Sequence, residues 1–303
     1  TLNKIIESGK YGEIIRIVEA LHEKKIGQIA DIINEENKRI ILIAAPSSSG
    51  KTSFATRLSI HLKVNNLNPI SISLDNYFID RDKTPLDEFG HLDYESIRAI
   101  DLKRFNKDLN DLLEGKEVQL PRYNFITGKS EPGEILQIDE NQPIILEGIH
   151  GLNPMLTASI PDNEKFKIYL SALTQLNLDD HNRIPTTDLR LIRRIVRDNQ
   201  FRGHTAEMTI KGWPSVRRGE EKNIFPYQEQ ADVMFNTACV YELSLLKAYA
   251  KPLLEQIDKT SEAYIEAKRL LKLLQYFVEL DDLSDIPPTA IIREFIGGSK
   301  IVH

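Results

Sequence analysis

Between Arg39 and Thr52 the chain reads Arg-Ile-Ile-Leu-Ile-Ala-Ala-Pro-Ser-Ser-Ser-Gly-Lys-Thr. An apolar run that gives way to small residues and then to Gly50-Lys51-Thr52 leaves few folds open: it reads as a buried strand, a tight loop and the start of a helix. The spacing fits G-x-x-x-x-G-K-[ST] everywhere except the first position, where Ala45 replaces glycine. In such a loop the backbone N–H groups of Ser47, Ser48, Ser49 and Gly50 and the start of the next helix face phosphate oxygens. Lys51 adds a charge near the β- and γ-phosphates, and Thr52 offers a hydroxyl to Mg²⁺. Phe54, Leu58 and Leu62 continue at helix spacing. The stretch therefore implies a nucleotide-binding site.

The remaining chain bounds what can surround that site. Its 303 residues are enough for one large or two small domains. Apolar residues make up 41% and charged residues 28%, as in a soluble globular protein. A net charge of −6 gives no bulk attraction for nucleic acid or a membrane surface. No apolar run approaches the ~18 residues of a membrane span, and no leader pattern opens the sequence. Cys239, the single cysteine, excludes an internal disulfide, fits a reducing compartment and sits in an apolar segment where packing is its expected role. The expected location is the cytoplasm.

Residues 1–38 carry apolar residues at helix spacing (Ile14, Ile15, Ile17, Val18, Leu21, then Ile26, Ile29, Ile32, Ile33) and read as a helical extension or linker. Residues 39–258 hold the strands and the chemistry, and 259–303 read as a C-terminal helical extension. Strands are expected at 39–44, 69–74, 142–147, 165–170 and 231–235, giving a five-stranded parallel sheet. A helix is expected from about 101 to 113, stopped by Gly115. Residues 120–125 and 134–138 suggest an inserted hairpin, and Arg217–Glu221 reads as a charged loop.

Asp75 follows the second strand, and ligands gather at carboxyl ends of strands in such sheets. It is a candidate base for an attacking hydroxyl and a candidate Mg²⁺ contact, with a helix N-cap as the competing role. Glu147 ends the strand 142–147 as a Walker B carboxylate does, which points to the metal. Arg190, Arg193, Arg194 and Arg197 fall at i, i+3, i+4 and i+7 of one helix, and so on one face. Leu189, Ile192 and Val196 would pack the other side. A phosphate-clamping lid is the expectation, since arginine binds phosphate bidentately.

Pro46–Thr52, Leu74–Phe78, Leu92-Asp93, Arg122–Phe125, Ile145–Gly148 and the arginine segment together resemble the phosphoribulokinase/uridine kinase family over roughly residues 39–257. The resemblance implies a P-loop kinase fold: an α/β protein with a central parallel five-stranded sheet, an inserted hairpin and helical substrate region, an Arg-rich lid, and here helical extensions at both ends. It implies transfer of the γ-phosphoryl group of ATP, with Mg²⁺, to a sugar hydroxyl of a small molecule. Nucleosides are the expected acceptors, with uridine or cytidine as the default. By resemblance Asp75, Lys51 and Arg193 are catalytic, Thr52, Glu147 and Asp75 match the metal positions, and Arg190 and Arg194 reach the nucleotide. Asp93 matches the carboxylate that holds the ribose hydroxyls. Tyr77, Tyr123, Phe125 and Arg190 match substrate contacts; Tyr123 and Phe125 alternate, which suggests that only one faces a given pocket. The resemblance leaves room for a homo-oligomer and for fusion to further N-terminal domains.

Three departures qualify that pattern. Ala45 requires a negative φ where the loop has its first glycine. The family's pyrimidine-reading histidine corresponds to Gly128 here, and its later glutamine to Met208. A site that loses such donors loses discrimination. Two alternatives therefore stand beside the nucleoside kinase: a kinase of the same fold acting on another nucleoside or a sugar phosphate, and a nucleotide-binding regulator without kinase activity.

Overall fold

The computed structural model describes residues 2–178 and 181–302. Its centre is a parallel sheet in the order β2-β5-β1-β6-β7, formed by β1 (Ile40–Ala44), β2 (Ile70–Ser73), β5 (Ile144–Glu147), β6 (Lys165–Ser171) and β7 (Val233–Asn236). All five residues of β1 are buried. Its side chains alternate between two cores: Ile41 and Ile43 belong to one hydrophobic cluster, and Ile40, Leu42 and Ala44 to the other. That two-residue period, with apolar residues on both faces, is why a strand covered on each side reads as a continuous apolar run.

One face carries α2 (Tyr11–Glu35), α3 (Lys51–Val64), α5 (Thr186–Arg202), α7 (Glu242–Glu255) and α8 (Tyr264–Leu274), with the short α1 (Leu2–Glu7) ahead of them. Ile26, Ile29 and Ile33 of α2 share a cluster with Phe54, Leu58 and Leu62 of α3 and with Ile291 and Phe295 near the C-terminus. The core therefore runs without a break across 38/39 and 258/259. The other face carries α4 (Leu102–Leu113) and an antiparallel hairpin, β3 (Val118–Asn124) with β4 (Lys129–Leu136).

Three segments differ from the sequence expectation. The extension 1–38 is two helices, separated at Gly9, whose φ of +70° breaks the run. The hairpin begins earlier, and its return strand starts at Lys129 rather than Glu134. Arg217–Glu221 is no loop: it lies within α6 (Ala206–Asn223), capped by Thr205 and holding Pro214 inside. The chain ends in a short α9 (Arg293–Ile296). No described helix is long and apolar enough to cross a membrane.

Strand order reverses direction around β1, so the crevice at the carboxyl ends of β1, β5 and β2 is where this topology opens a site.

Candidate active site

The loop after β1 enters that crevice. Ser48 (φ 62°) and Gly50 (φ 81°) take left-handed backbone, whereas Ala45 is not among the positive-φ residues and its methyl group is tolerated. Gly50 has a second reason to be glycine, since a Cβ there would collide with Ile291. The loop is held from outside. Arg193 Nη1 donates to the Ser48 carbonyl at 3.3 Å, Arg194 Nη1 to Ser47 Oγ at 2.8 Å, and Lys51 Nζ to the Ala45 carbonyl at 3.3 Å. The Ser48 and Ser49 hydroxyls are buried without a protein partner. Buried hydroxyls rarely stay unpaired, and phosphate oxygens would supply the acceptors, so the loop fits the group it is expected to bind.

Glu147 ends β5 in register with Ser73 and with Ile43, which sets it between the loop and the end of β2. Burial pushes its carboxyl up to about 7; the Asp75 charge adds to this, while Lys51 and a Ser73 hydrogen bond oppose it. Asp75 lies in a 3₁₀ turn, Leu74–Tyr77, directly after β2. Its side chain is reached by solvent, yet surrounding protein crowds it and raises its proton affinity against the pull of Lys51, Arg202 and Arg197. Two neighbouring carboxylates that burial pushes up, with Asp75 adding to the rise of Glu147, are short of positive charge. A divalent cation bound by oxygen ligands would relieve this, so Thr52, Glu147 and Asp75 fit Mg²⁺.

Asp93 and Glu95 approach from the segment before α4. Asp93 accepts the Glu95 N–H at 3.2 Å in a local turn. Burial pushes the Glu95 carboxyl up to about 7; Glu220 and Asp75 add to this, and Arg194 and Lys51 oppose it. Glu95 thus belongs to the same charged cluster, although sequence reasoning passed over it for Asp93 two residues earlier. Glu220 and Glu294 were missed as well. Glu220 accepts the Ser47 N–H at 3.2 Å, and Glu294 accepts the Ser53 N–H at 3.2 Å and the Ser53 hydroxyl at 2.8 Å. No local pattern marks carboxylates that arrive from so far along the chain.

The arginine helix differs from its expectation. α5 is packed on several sides, with Leu189, Leu191, Ile192, Ile195 and Val196 all buried. Arg190 and Arg193 consequently point inward, and a buried charge requires a partner. Arg190 is bidentate to Glu220 at 2.6–3.1 Å and lies over the Trp213 ring. Arg193 grips Glu242 at 2.7 and 2.9 Å and also meets Thr237. Neither is a free phosphate clamp; they brace the loop and its surroundings. Arg194, with a side chain 22% exposed, and Arg197 keep the site side of the helix. Burial, with Arg202 nearby, holds Arg197 down at about 10, still charged at neutral pH.

Tyr77 is also corrected. It is buried, stacked edge-on against Phe105, and donates to Asp108 at 3.3 Å, so it supports the core beneath the site. Tyr123 and Phe125 do not divide between faces: Phe125 lies one residue beyond β3, and the two rings meet each other and Phe78. Tyr123 is buried, whereas Phe125 is 60% exposed. Across from them, Arg81 donates to Tyr94 Oη at 3.2 Å and to the Phe125 carbonyl at 2.6 Å. A Cβ at Gly128 would lie 2.7 Å from Arg81 Nε, so the missing side chain there makes room for this arginine.

A second cluster, Glu19, His22 and Cys239, brings possible ligand atoms within 4.8 Å of one another. Glu19 is already bonded to Tyr241 at 2.7 Å and paired with Arg57. Burial, then Arg57, Arg193 and Lys25, lower His22 to about 4, and burial raises the Cys239 thiol well above its ordinary range. Burial disfavours the thiolate that a metal would need, and Glu19 is already engaged by Tyr241 and Arg57, so the group reads as a packed network.

A phosphate loop on a five-stranded parallel sheet, with carboxylates at two neighbouring strand ends, has the architecture of the P-loop kinases. The sequence pattern of the Phosphoribulokinase / Uridine kinase family matches residues 40–244. The uridine kinase of Ligilactobacillus salivarius (strain UCC118) is 30% identical over 203 residues, 66% of this chain and 86% of the relative. That of Macrococcus caseolyticus (strain JCSC5402) is 30% identical over 199 residues, 64% of this chain and 86% of the relative. The solved structure of a candidate fructose transport system kinase from Silicibacter sp. TM1040 matches with a TM-score of 0.51 at 16% identity, over 69% of this chain and 98% of that one. The chain belongs to the phosphoribulokinase/uridine kinase family, a family of phosphotransferases with an alcohol acceptor.

Proposed function

We propose that the protein transfers the γ-phosphoryl group of ATP to the 5′-hydroxyl of a nucleoside, with uridine or cytidine as the first acceptors to test. The observation that carries this reading is the convergence of Lys51, Asp75 and Glu147 at the adjoining ends of β1, β2 and β5. Loop N–H groups, the Ser48 and Ser49 hydroxyls and Lys51 bind and orient the phosphates. Asp75, with its raised proton affinity, accepts the proton of the attacking hydroxyl. Thr52, Glu147 and Asp75 would hold Mg²⁺, which when bound would supply positive charge to the phosphoryl oxygens. Arg194, on the Ser47 hydroxyl, stands where it can meet the same charge. Asp93 holds the sugar hydroxyls, and Tyr123 and Phe125 wall the acceptor. The buried free Cys239 fits a reducing compartment, and we assign the enzyme to the cytoplasm.

A second reading has its own observation. Arg81 fills the space opposite Gly128, and its planar guanidinium would suit a phosphate-bearing acceptor better than a neutral base. Following ATP consumption over a panel of nucleosides and sugar phosphates separates the two. Turnover of uridine or cytidine supports the nucleoside kinase, and turnover of a sugar phosphate alone replaces it with the second reading. ATP binding without any acceptor would favour a nucleotide-dependent regulator.

A further inference from the structure

The first N–H groups of a helix lack intrahelical partners, and at the end of a phosphate loop they face the ligand. In α3 the Phe54 N–H already bonds the Gly50 carbonyl, so Ser53 carries the last free N–H of that first turn. It is not free here. Glu294 Oε2 accepts it at 3.2 Å and accepts the Ser53 hydroxyl at 2.8 Å, while Oε1 lies 3.8 Å from Arg197 Nη1. A carboxylate from the far end of the chain stands on a donor pair two residues beyond Lys51.

The backbone that presents Glu294 is firmly seated. Ile291, Ile292, Phe295 and Ile296 are buried. The guanidinium groups of Arg193 and Arg197 lie over the Phe295 ring at 4.9 and 5.9 Å. Arg293 Nη2 donates to the Leu283 and Ile286 carbonyls at 3.1 and 2.8 Å. Releasing this segment would expose a large apolar surface, so it stays in place as a wall of the crevice, and only the Glu294 side chain, already set between Ser53 and Arg197, has two partners to choose from.

We propose that Glu294 is an affinity-setting residue of the nucleotide site: an internal anion on the Ser53 N–H and hydroxyl that competes with a nucleotide phosphate for them and turns towards Arg197 when the phosphate binds. The inference rests on the nucleotide-site reading above. Two anions cannot share one donor pair, and Glu147 already places negative charge nearby. Nucleotide binding must therefore break the Glu294–Ser53 bond. Removing the Glu294 charge raises affinity, whereas removing a group that served only the fold, or that bound the metal, lowers it.

The test is calorimetric titration of the full chain with ADP, with and without Mg²⁺, on wild type, Glu294→Gln and Glu294→Asp. The neutral variant is expected to bind ADP roughly tenfold tighter in both conditions, since a lost hydrogen bond to a charged group is of that size. Glu294→Asp, whose carboxylate is one methylene short of Ser53, should also tighten binding and carries the test if the first variant folds poorly. Unchanged or weaker ADP binding in a folded variant overturns the proposal. Wild type that binds no ADP at all overturns the nucleotide-site reading instead.

Discussion

The phosphate loop is clamped by buried charged side chains, whereas the segments 80–94 and 124–128 are held mainly by turns and partly exposed aromatics. Around the loop, Arg193 is 0% exposed, Glu220 0% and Glu242 1%, each with a geometrically matched partner. In the other region Phe89 is 61%, Phe125 60% and Ile126 91% exposed, and Arg81 hangs on a carbonyl and a tyrosine hydroxyl. The donor side is organised before any ligand arrives. The acceptor side has fewer fixed partners, and so more freedom to differ in what it recognises. This difference explains why phosphoryl transfer is easier to read from the structure than the identity of the acceptor.

The comparison breaks most visibly if the clamp proves dispensable. Arg193→Ala leaves Glu242 buried and unpaired, which should cost about 3–5 kcal/mol, whereas Phe125→Ala on the open side should cost less than about 1 kcal/mol. Chemical denaturation of both variants checks this, and equal losses would remove the distinction. Arg81→Ala should alter the acceptor KM by roughly tenfold and leave ADP affinity unchanged, because it touches only the acceptor side. A parallel loss of ADP affinity would show the two sides to be one unit.

The smallest expected effect is a pH dependence at their junction. Glu95 holds its proton up to about 7 in the folded protein, against an ordinary value of 4.5. Between those values the folded state keeps a proton that the unfolded chain has released, so stability falls as pH rises through that window. Glu95→Gln should flatten the fall in melting temperature between pH 5 and pH 8. A fall as steep as that of wild type would remove Glu95 from the charged cluster.

What was legible in the chain follows the same division. Lys51, Thr52 and Glu147 announce themselves because a loop motif and a strand-end carboxylate are local patterns. The arginine spacing in α5 was legible as a helix, but periodicity does not tell which face is inside when every face is packed. Arg190 and Arg193 therefore read as a lid and turned out to be braces. Glu95, Glu220 and Glu294 were invisible as a group, because only the fold brings them to Lys51 and the loop. α6 was hidden because its charged stretch Arg217–Glu221 reads as a loop. Gly219 in fact lets the helix approach Glu95, whose side chain a Cβ there would strike.

The central claim is that Asp75 is the base of a phosphoryl transfer from ATP to a hydroxyl. The most direct measurement follows product formation and ADP affinity together in wild type and Asp75→Asn, using the best acceptor from the panel. The account predicts a loss of kcat of roughly 10²–10⁴-fold, as for removal of a general base, with ADP affinity kept within about threefold. Undiminished turnover in Asp75→Asn would contradict it and place the base elsewhere.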